Sequence, residues 1–254
     1  MGVWIVTMLS VLVVSLISFV GALTMTVRPD RMRKILLYMV SFAAGALLGD
    51  AFIHLLPEAT EAGFGINISI YVLAGIATSF IVEKSVHLRH HHNGVDASHH
   101  YAQEGDAKPF AIVNLFGEAI HNFVDGIIIG ASYLVSIPVG IATTLAVIFH
   151  EIPSELGDFG VLLHGGYHPR KALLYNFAVA LTAFLGAAAA LIAGVYIENA
   201  VQILVPFAAG TFIYIAGADL IPELHKETNP KKSFLQFIAF VIGMLVMASL
   251  ILLE

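Results

Sequence analysis

Eight long apolar runs divide this chain, at about residues 3–27, 34–56, 67–86, 110–135, 138–163, 171–196, 200–222 and 233–253. Crossing roughly 30 Å of hydrocarbon as a helix takes about 20 residues, and each run is close to that length or longer. None alternates apolar and polar residues as a barrel strand does, and Ala, Leu, Ile and Gly dominate them. The expectation is an all-α membrane protein, a single transmembrane domain over 1–254 with eight transmembrane helices. Apolar residues are 58% of the 254 and charged ones 12%, against about 25% charge in an ordinary soluble domain. The lipid bilayer is therefore the expected surrounding.

The basic residues orient these segments. Arg28, Arg31, Arg33 and Lys34 lie between segments 1 and 2. Lys84, Arg89 and Lys108 lie at or in the 3–4 connection. Arg170 and Lys171 separate segments 5 and 6, and Lys226, Lys231 and Lys232 separate 7 and 8. These are all twelve Lys and Arg residues, and the alternate connections have none. Positive loops stay cytoplasmic, which predicts both termini outside and a multi-pass protein of the plasma (inner) membrane. No Lys or Arg precedes segment 1, so it reads as an uncleaved anchor. There is no cysteine, hence no disulfide and no thiolate ligand. The net charge of −6 is uninformative, because many of the acids lie inside the apolar segments; no nucleic acid partner is expected, and a homodimer is compatible with the sequence.

Segments 2 and 7 resemble each other. Ala44-Gly45 is followed after eight residues by His54-Leu55-Leu56-Pro57-Glu58, and Ala209-Gly210 after eight by Asp219-Leu220-Ile221-Pro222-Glu223, with six identities in sixteen aligned positions. The predicted topology runs the two in opposite directions, as in inverted-repeat transporters. Segments 1–3 and 6–8 then form the repeat around a central 4–5 pair. Asp50, His54 and Glu58 share one helical stripe on segment 2, and Asp219 and Glu223 the matching stripe on segment 7. Both stripes read as parts of a pathway.

Segment 4 contains Glu118, His121, Asn122, Asp125 and Gly126, and segment 5 contains His150, Glu151, Pro153, Ser154, Glu155, Gly157 and Asp158. Both clusters fall near the middle of their spans. Each of the five carboxyl groups costs about 2.5–3.5 kcal/mol at a bilayer centre on insertion scales, so most of them must face protein, water or an ion. His121 and Asp125 share a face, as do His150 and Ser154, and Glu151 and Glu155. Two such faces opposed surround one or two cations with imidazole nitrogen and carboxylate oxygen. Zn²⁺, Fe²⁺ and Mn²⁺ accept that mixture, whereas Cu⁺ asks for sulfur that is missing. Pro153 has no N–H to offer the Phe149 carbonyl, and Gly126 and Gly157 permit close helix approach. Glu118 and Asp158, at the ends of the clusters, join the pathway residues.

HNFVDG (121–126) and HEIPSELGDF (150–159) resemble motifs of the ZIP (Zrt/Irt-like) family of divalent metal transporters, in the branch whose fifth helix reads HEIPHELGDF. GDAFIHLLPEA (49–59) and FIYIAGADLIPEL (212–224) are similar to its second and seventh helices. The resemblance covers nearly the whole chain. It implies eight helices, transport of Zn²⁺ or a related divalent metal (Fe²⁺, Mn²⁺ or Cd²⁺) into the cytoplasm, and ligand positions at His121, Asn122, Asp125, His150, Glu151 and Ser154. The metal is substrate and not a catalytic cofactor. The sequence departs from the pattern in three ways. Ser154 stands where that branch has histidine, and Val124 replaces a proline. Segment 6 offers only Asn176 and Thr182 where some relatives have a glutamate on a second metal, with Glu198 at its end.

The 3–4 connection, about 87–108, carries His87, His90, His91, His92, His99 and His100. It reads as a cytoplasmic loop for low-affinity metal capture. The rival class is an intramembrane zinc metalloprotease, which needs His-Glu-x-x-His. Here Ser154 occupies the second histidine position with a proline before it, so an enzyme is not expected.

Overall fold

The computed structural model describes residues 2–25, 29–61, 63–94, 109–197 and 199–253, and these are helical with no strand among them. In chain order the helices are α1 (Gly2–Ile17), α2 (Pro29–Gly49), α3 (Leu56–Thr60), α4 (Ile66–Gly94), α5 (Pro109–Val135), α6 (Ile137–His164), α7 (Pro169–Ala180), α8 (Thr182–Tyr196), α9 (Ala200–Tyr214), α10 (Ile221–Leu224) and α11 (Pro230–Leu250). Among the described residues, seven helical stretches are long and apolar enough to cross a membrane. The 27-residue α5 is longer than four of them, but Glu118, His121, Asn122 and Asp125 dilute its hydropathy. This is an all-α membrane protein.

The third helix runs to Gly94 and not to about residue 86. No glycine or proline interrupts 84–93, so nothing stops the helix until Gly94. His87, His90, His91 and His92 are thus on helical backbone and not in a loop. His99 and His100 lie outside the described residues.

Two places break the α-helical register in the same way. After α2, residues Asp50–Leu55 form a π-helical turn, closed by the Leu56 N–H on the Ala51 carbonyl. After α9, residues Ile215–Leu220 do the same, closed by the Ile221 N–H on the Ala216 carbonyl. Each wide turn is followed by a short helix with proline at its second residue, Pro57 or Pro222. Proline has no N–H for the carbonyl four residues back and its ring crowds that carbonyl. Widening the preceding turn relieves both problems.

Glycines set the closest helix crossings. A methyl on Gly45 of α2 would strike the Phe240 carbonyl of α11, and one on Gly243 would strike the Phe42 carbonyl in return. On α9 and α4 the arrangement repeats: Gly210 abuts the Val72 carbonyl and Gly75 the Phe207 carbonyl. Gly126 and Gly186 lock α5 to α8 against the Ala183 and Phe123 carbonyls. Without a hydrophobic drive between helices in lipid, such backbone contact supplies the packing energy.

The α5–α6 connection positions the site. Ser136 is its only residue. Ser136 is extended (φ −158°, ψ 163°), and its side chain accepts the Val139 N–H at 3.2 Å, capping α6. So short a link leaves α5 and α6 antiparallel neighbours. His121 stands fifteen residues before Ser136 and His150 fourteen after it. At 1.5 Å per residue both lie about 21–22 Å from the turn.

Gly45→Ala and Gly210→Ala should each cost about 1–3 kcal/mol through overpacking, lowering the melting temperature of purified protein. Gly160→Ala, where an added methyl meets nothing within 4 Å, should not lower it. Size-exclusion chromatography after heating, with all three variants in one detergent, is the measurement.

Candidate metal centre

The shared register brings four predicted ligands together. His121 Nε2 lies 3.6 Å from Asp125 Oδ2 and 3.2 Å from Glu151 Oε1. His150 Nε2 lies 3.3 Å from Asp125 Oδ2 and 3.4 Å from Glu151 Oε1. One ligand atom from each of the four residues falls within 4.8 Å of all the others. A tetrahedral zinc ion with bonds near 2.0–2.1 Å separates its ligands by about 3.3 Å. The observed spacings are close to the edges of that tetrahedron.

The donor chemistry agrees with the spacing. His150 Nδ1 lies 3.2 Å from the Ala146 carbonyl, which only accepts, so this nitrogen carries the proton and Nε2 presents a lone pair. Asp125 Oδ1 and Oδ2, Glu151 Oε1 and His150 Nε2 are all buried without a hydrogen-bond partner. Lone pairs converging in this way, away from water, form a cation-binding set. The two imidazoles sit edge to face, with centroids 5.5 Å apart.

The centre is wet on one side only. The His121 side chain is 28% exposed while Asp125, Glu151 and His150 are within 2% of full burial. A cavity of about 220 Å³ reaches His121 and Glu118 and is lined further out by Glu83, Tyr214 and Asp219. The Tyr214 hydroxyl donates to Glu83 across it.

The other expected residues fall in several places. Ser154 lines that cavity, and its hydroxyl donates to Asp158 at 3.4 Å. Asp158 also accepts from Asn114 at 2.8 Å. Asn122 turns its amide nitrogen to Glu118 Oε1 at 2.8 Å. Glu155 accepts from Asn176 of α7 at 2.9 Å and groups with Glu118 and Glu151. Asp50 is buried and accepts from the Thr143 hydroxyl at 2.9 Å, two turns before His150 on α6. His54 Nε2 donates to the Met247 carbonyl at 2.9 Å. Glu58 lines a separate cavity of about 750 Å³ with Glu61 and Tyr71. Glu223 is exposed and paired with Lys226. The two stripes thus stand apart from the centre, except that Asp219 lines its cavity. Glu83, Tyr214, Asn114 and Thr143 were not among the expected residues. A carboxylate at the end of an apolar run was the available signal for Glu83; the others are ordinary polar residues until packed.

A family model described as ZIP Zinc transporter matches residues 1–109 and 86–251, nearly the whole chain. The chain belongs to the ZIP zinc transporter family. Zinc transporter ZIP13 of Pongo abelii is 34% identical over 224 residues, covering 82% of this chain and 65% of its own length. The Danio rerio protein of the same name is 33% identical over 260 residues, covering 84% of this chain and 75% of its own. Zinc transporter ZIP4 of Homo sapiens is 46% identical over 129 residues, 51% of this chain and 20% of the relative. This chain therefore spans about two thirds to three quarters of the two ZIP13 relatives. Within the ZIP frame the second imidazole of the centre comes from α5, and Ser154 holds the position a His-Glu-x-x-His protease would need.

Because Ser154 lines the cavity beside His121, Ser154→His adds an imidazole next to the centre. Zinc affinity should tighten roughly tenfold, equivalent to about 1.4 kcal/mol, and Fe²⁺ should compete less well. A Zn²⁺ titration with Fe²⁺ competition on both proteins decides it; unchanged affinity and selectivity would place residue 154 away from the metal.

Proposed function

We propose that this chain moves a divalent metal ion, zinc foremost, through the bilayer into the cytoplasm, with His121, Asp125, His150 and Glu151 as the transport site. The observation that carries this reading is the near-tetrahedral spacing of four lone-pair groups, three of them buried, on two helices whose register one residue controls. Two imidazoles with two carboxylates suit Zn²⁺ and also accept Fe²⁺ or Mn²⁺. Asn122 and Ser154 complete the surroundings of the site. Asp50, His54, Glu58, Glu118, Asp158, Asp219 and Glu223 serve the route to and from it.

The wet side of the site is compatible with release into the cytoplasm. The cavity beyond His121 ends at Glu83, next to Lys84, where a basic connection begins. On the positive-inside reading that end is cytoplasmic, so the arrangement is open inward and both termini are outside, in the plasma (inner) membrane. Eight crossings, with α5 as the fourth, accommodate this topology. The paired π turns and the reciprocal glycine contacts of α2–α11 and α9–α4 support an inverted repeat of segments 1–3 and 6–8.

His121→Ala and His150→Ala should each reduce initial Zn²⁺ uptake into proteoliposomes by about 10–100-fold or more, with folded protein recovered at the parental level. Uptake at the parental rate by both variants would remove the α5–α6 site from the transport path.

A further inference from the structure

At the end of the bundle that carries the basic connections, a cavity of about 930 Å³ opens between α2, α6, α10 and α11. Its volume falls within the roughly 300–1,000 Å³ of small-ligand sites. It shares no lining residue with the cavity beyond His121. Three lysines, Lys34, Lys226 and Lys232, line it beside two glutamates, Glu223 and Glu227. Lys226 pairs with Glu223, and Lys232 pairs with Glu227 at 2.9 Å. The pairs cancel, which leaves one positive charge in excess on the lining. An ammonium group has three N–H donors and each pair takes one of them, so both paired lysines keep donors for an anion.

The rest of the wall is apolar. Leu36, Leu37 and Val40 of α2 face Leu224 of α10 across the cavity, and α6 contributes Pro153 and Gly157. A methyl added to Gly157 meets nothing within 4 Å, so this glycine borders open space and not a helix crossing. Ile35, next to Lys34, is 46% exposed, and Phe237, next to Gln236, is 61% exposed. In a membrane protein such side chains meet acyl chains, which brings the cavity to the boundary between lipid and the basic end. Gln236 lines this cavity and a neighbouring one of about 390 Å³. It is 3% exposed, and its Nε2 is buried with no hydrogen-bond partner. A buried amide of this kind takes an acceptor, and phosphate and ester oxygens are acceptors.

We propose that this cavity holds the phosphate headgroup of an anionic membrane lipid. Lys34, Lys226 and Lys232 meet the phosphate, Gln236 meets a phosphate or ester oxygen, and the acyl chain lies over Leu36, Leu37, Val40 and Leu224. A free phosphate would leave the apolar half of the cavity facing water. A zwitterionic headgroup would bring its own cation against the excess lysine charge. On the topology proposed above this end faces the cytoplasm, whose leaflet carries the anionic lipids. The lipid site stands whether or not the chain moves zinc.

The test is titration of the purified full chain, in a neutral maltoside detergent, with dioctanoyl phosphatidylglycerol, dioctanoyl phosphatidylcholine and glycerol phosphate. Melting temperature and native mass spectrometry of the retained lipid are the readouts. Phosphatidylglycerol should bind about tenfold more tightly than phosphatidylcholine, and glycerol phosphate should not raise the melting temperature. Lys34→Gln should weaken phosphatidylglycerol about fivefold, as loss of one lysine near an anionic headgroup does, and leave phosphatidylcholine unchanged. Gly157→Leu keeps every charge and fills the open space, so it should abolish the preference at a parental lipid-free melting temperature. Gln236→Leu should weaken both lipids, since both carry phosphate and ester oxygens. Arg170→Gln with Lys171→Gln, at the start of α7 and outside the cavity, should change nothing. Lys34 is exposed, so its variant carries the test even where Gly157→Leu does not fold. Equal binding of the two lipids, or a loss in the Arg170–Lys171 variant as large as in Lys34→Gln, would assign the attraction to the basic face at large and overturn the site. A parental preference in Lys34→Gln would overturn it as well. Glycerol phosphate bound as tightly as the lipid would overturn the lipid as its occupant.

Discussion

Two long helices joined through one residue have almost no freedom to slide past each other. Ser136 caps α6 at the turn, and from there α5 and α6 count back in step. His121 meets His150, Glu118 meets Glu155, and Asn114 meets Asp158, each pair at nearly the same distance from the turn. A link longer by two or three residues would let the ladder shift by part of a turn, and carboxylates would then face apolar side chains at a cost of several kcal/mol. The centre is thus a property of helix register, and the remaining helices serve to keep water and lipid from it.

They do so by close backbone contact. The carbonyls of Phe240, Phe42, Val72 and Phe207 approach glycines that no other residue could replace without moving a helix. These crossings bind α2 to α11 and α9 to α4, the two helices that carry the π turns each being held by a partner. Asp50 reaches α6 from one of those turns through Thr143, while Asp219, on the other, lines the cavity beyond His121. Changes at either wide turn are therefore felt near the metal ligands without large displacements of the bundle.

Much of this was legible in the residues themselves. Long apolar runs admit little but helices in lipid, and the positions of His121, Asp125, His150 and Glu151 near the middle of two runs marked a group that the structure brings together. Less legible was anything requiring a partner in space. Asn176 was noted only as standing where some relatives have a glutamate, and its hold on Glu155 shows only in the structure; Thr143 reads as one more small residue until it meets Asp50. Pro57 and Pro222 signalled a disturbance, but a kink, a break or a wide turn all satisfy a missing N–H. The end of the third helix was misjudged because polarity was read as loop, while residues 87–93 are polar and still without a helix breaker.

The uneven wetting of the four ligands has a consequence for how an ion exchanges. Bonds to a coordinated ion are replaced one at a time, and the incoming water attacks where it has access. Only His121 has substantial access; Asp125, His150 and Glu151 are sealed. In the proposed transport site, substitution would therefore begin at the His121 bond, and that imidazole would set the lifetime of the bound state much as a leaving group sets the rate of a displacement. On that proposal the three dry side chains would decide which ion is accepted, and the wet one when it goes.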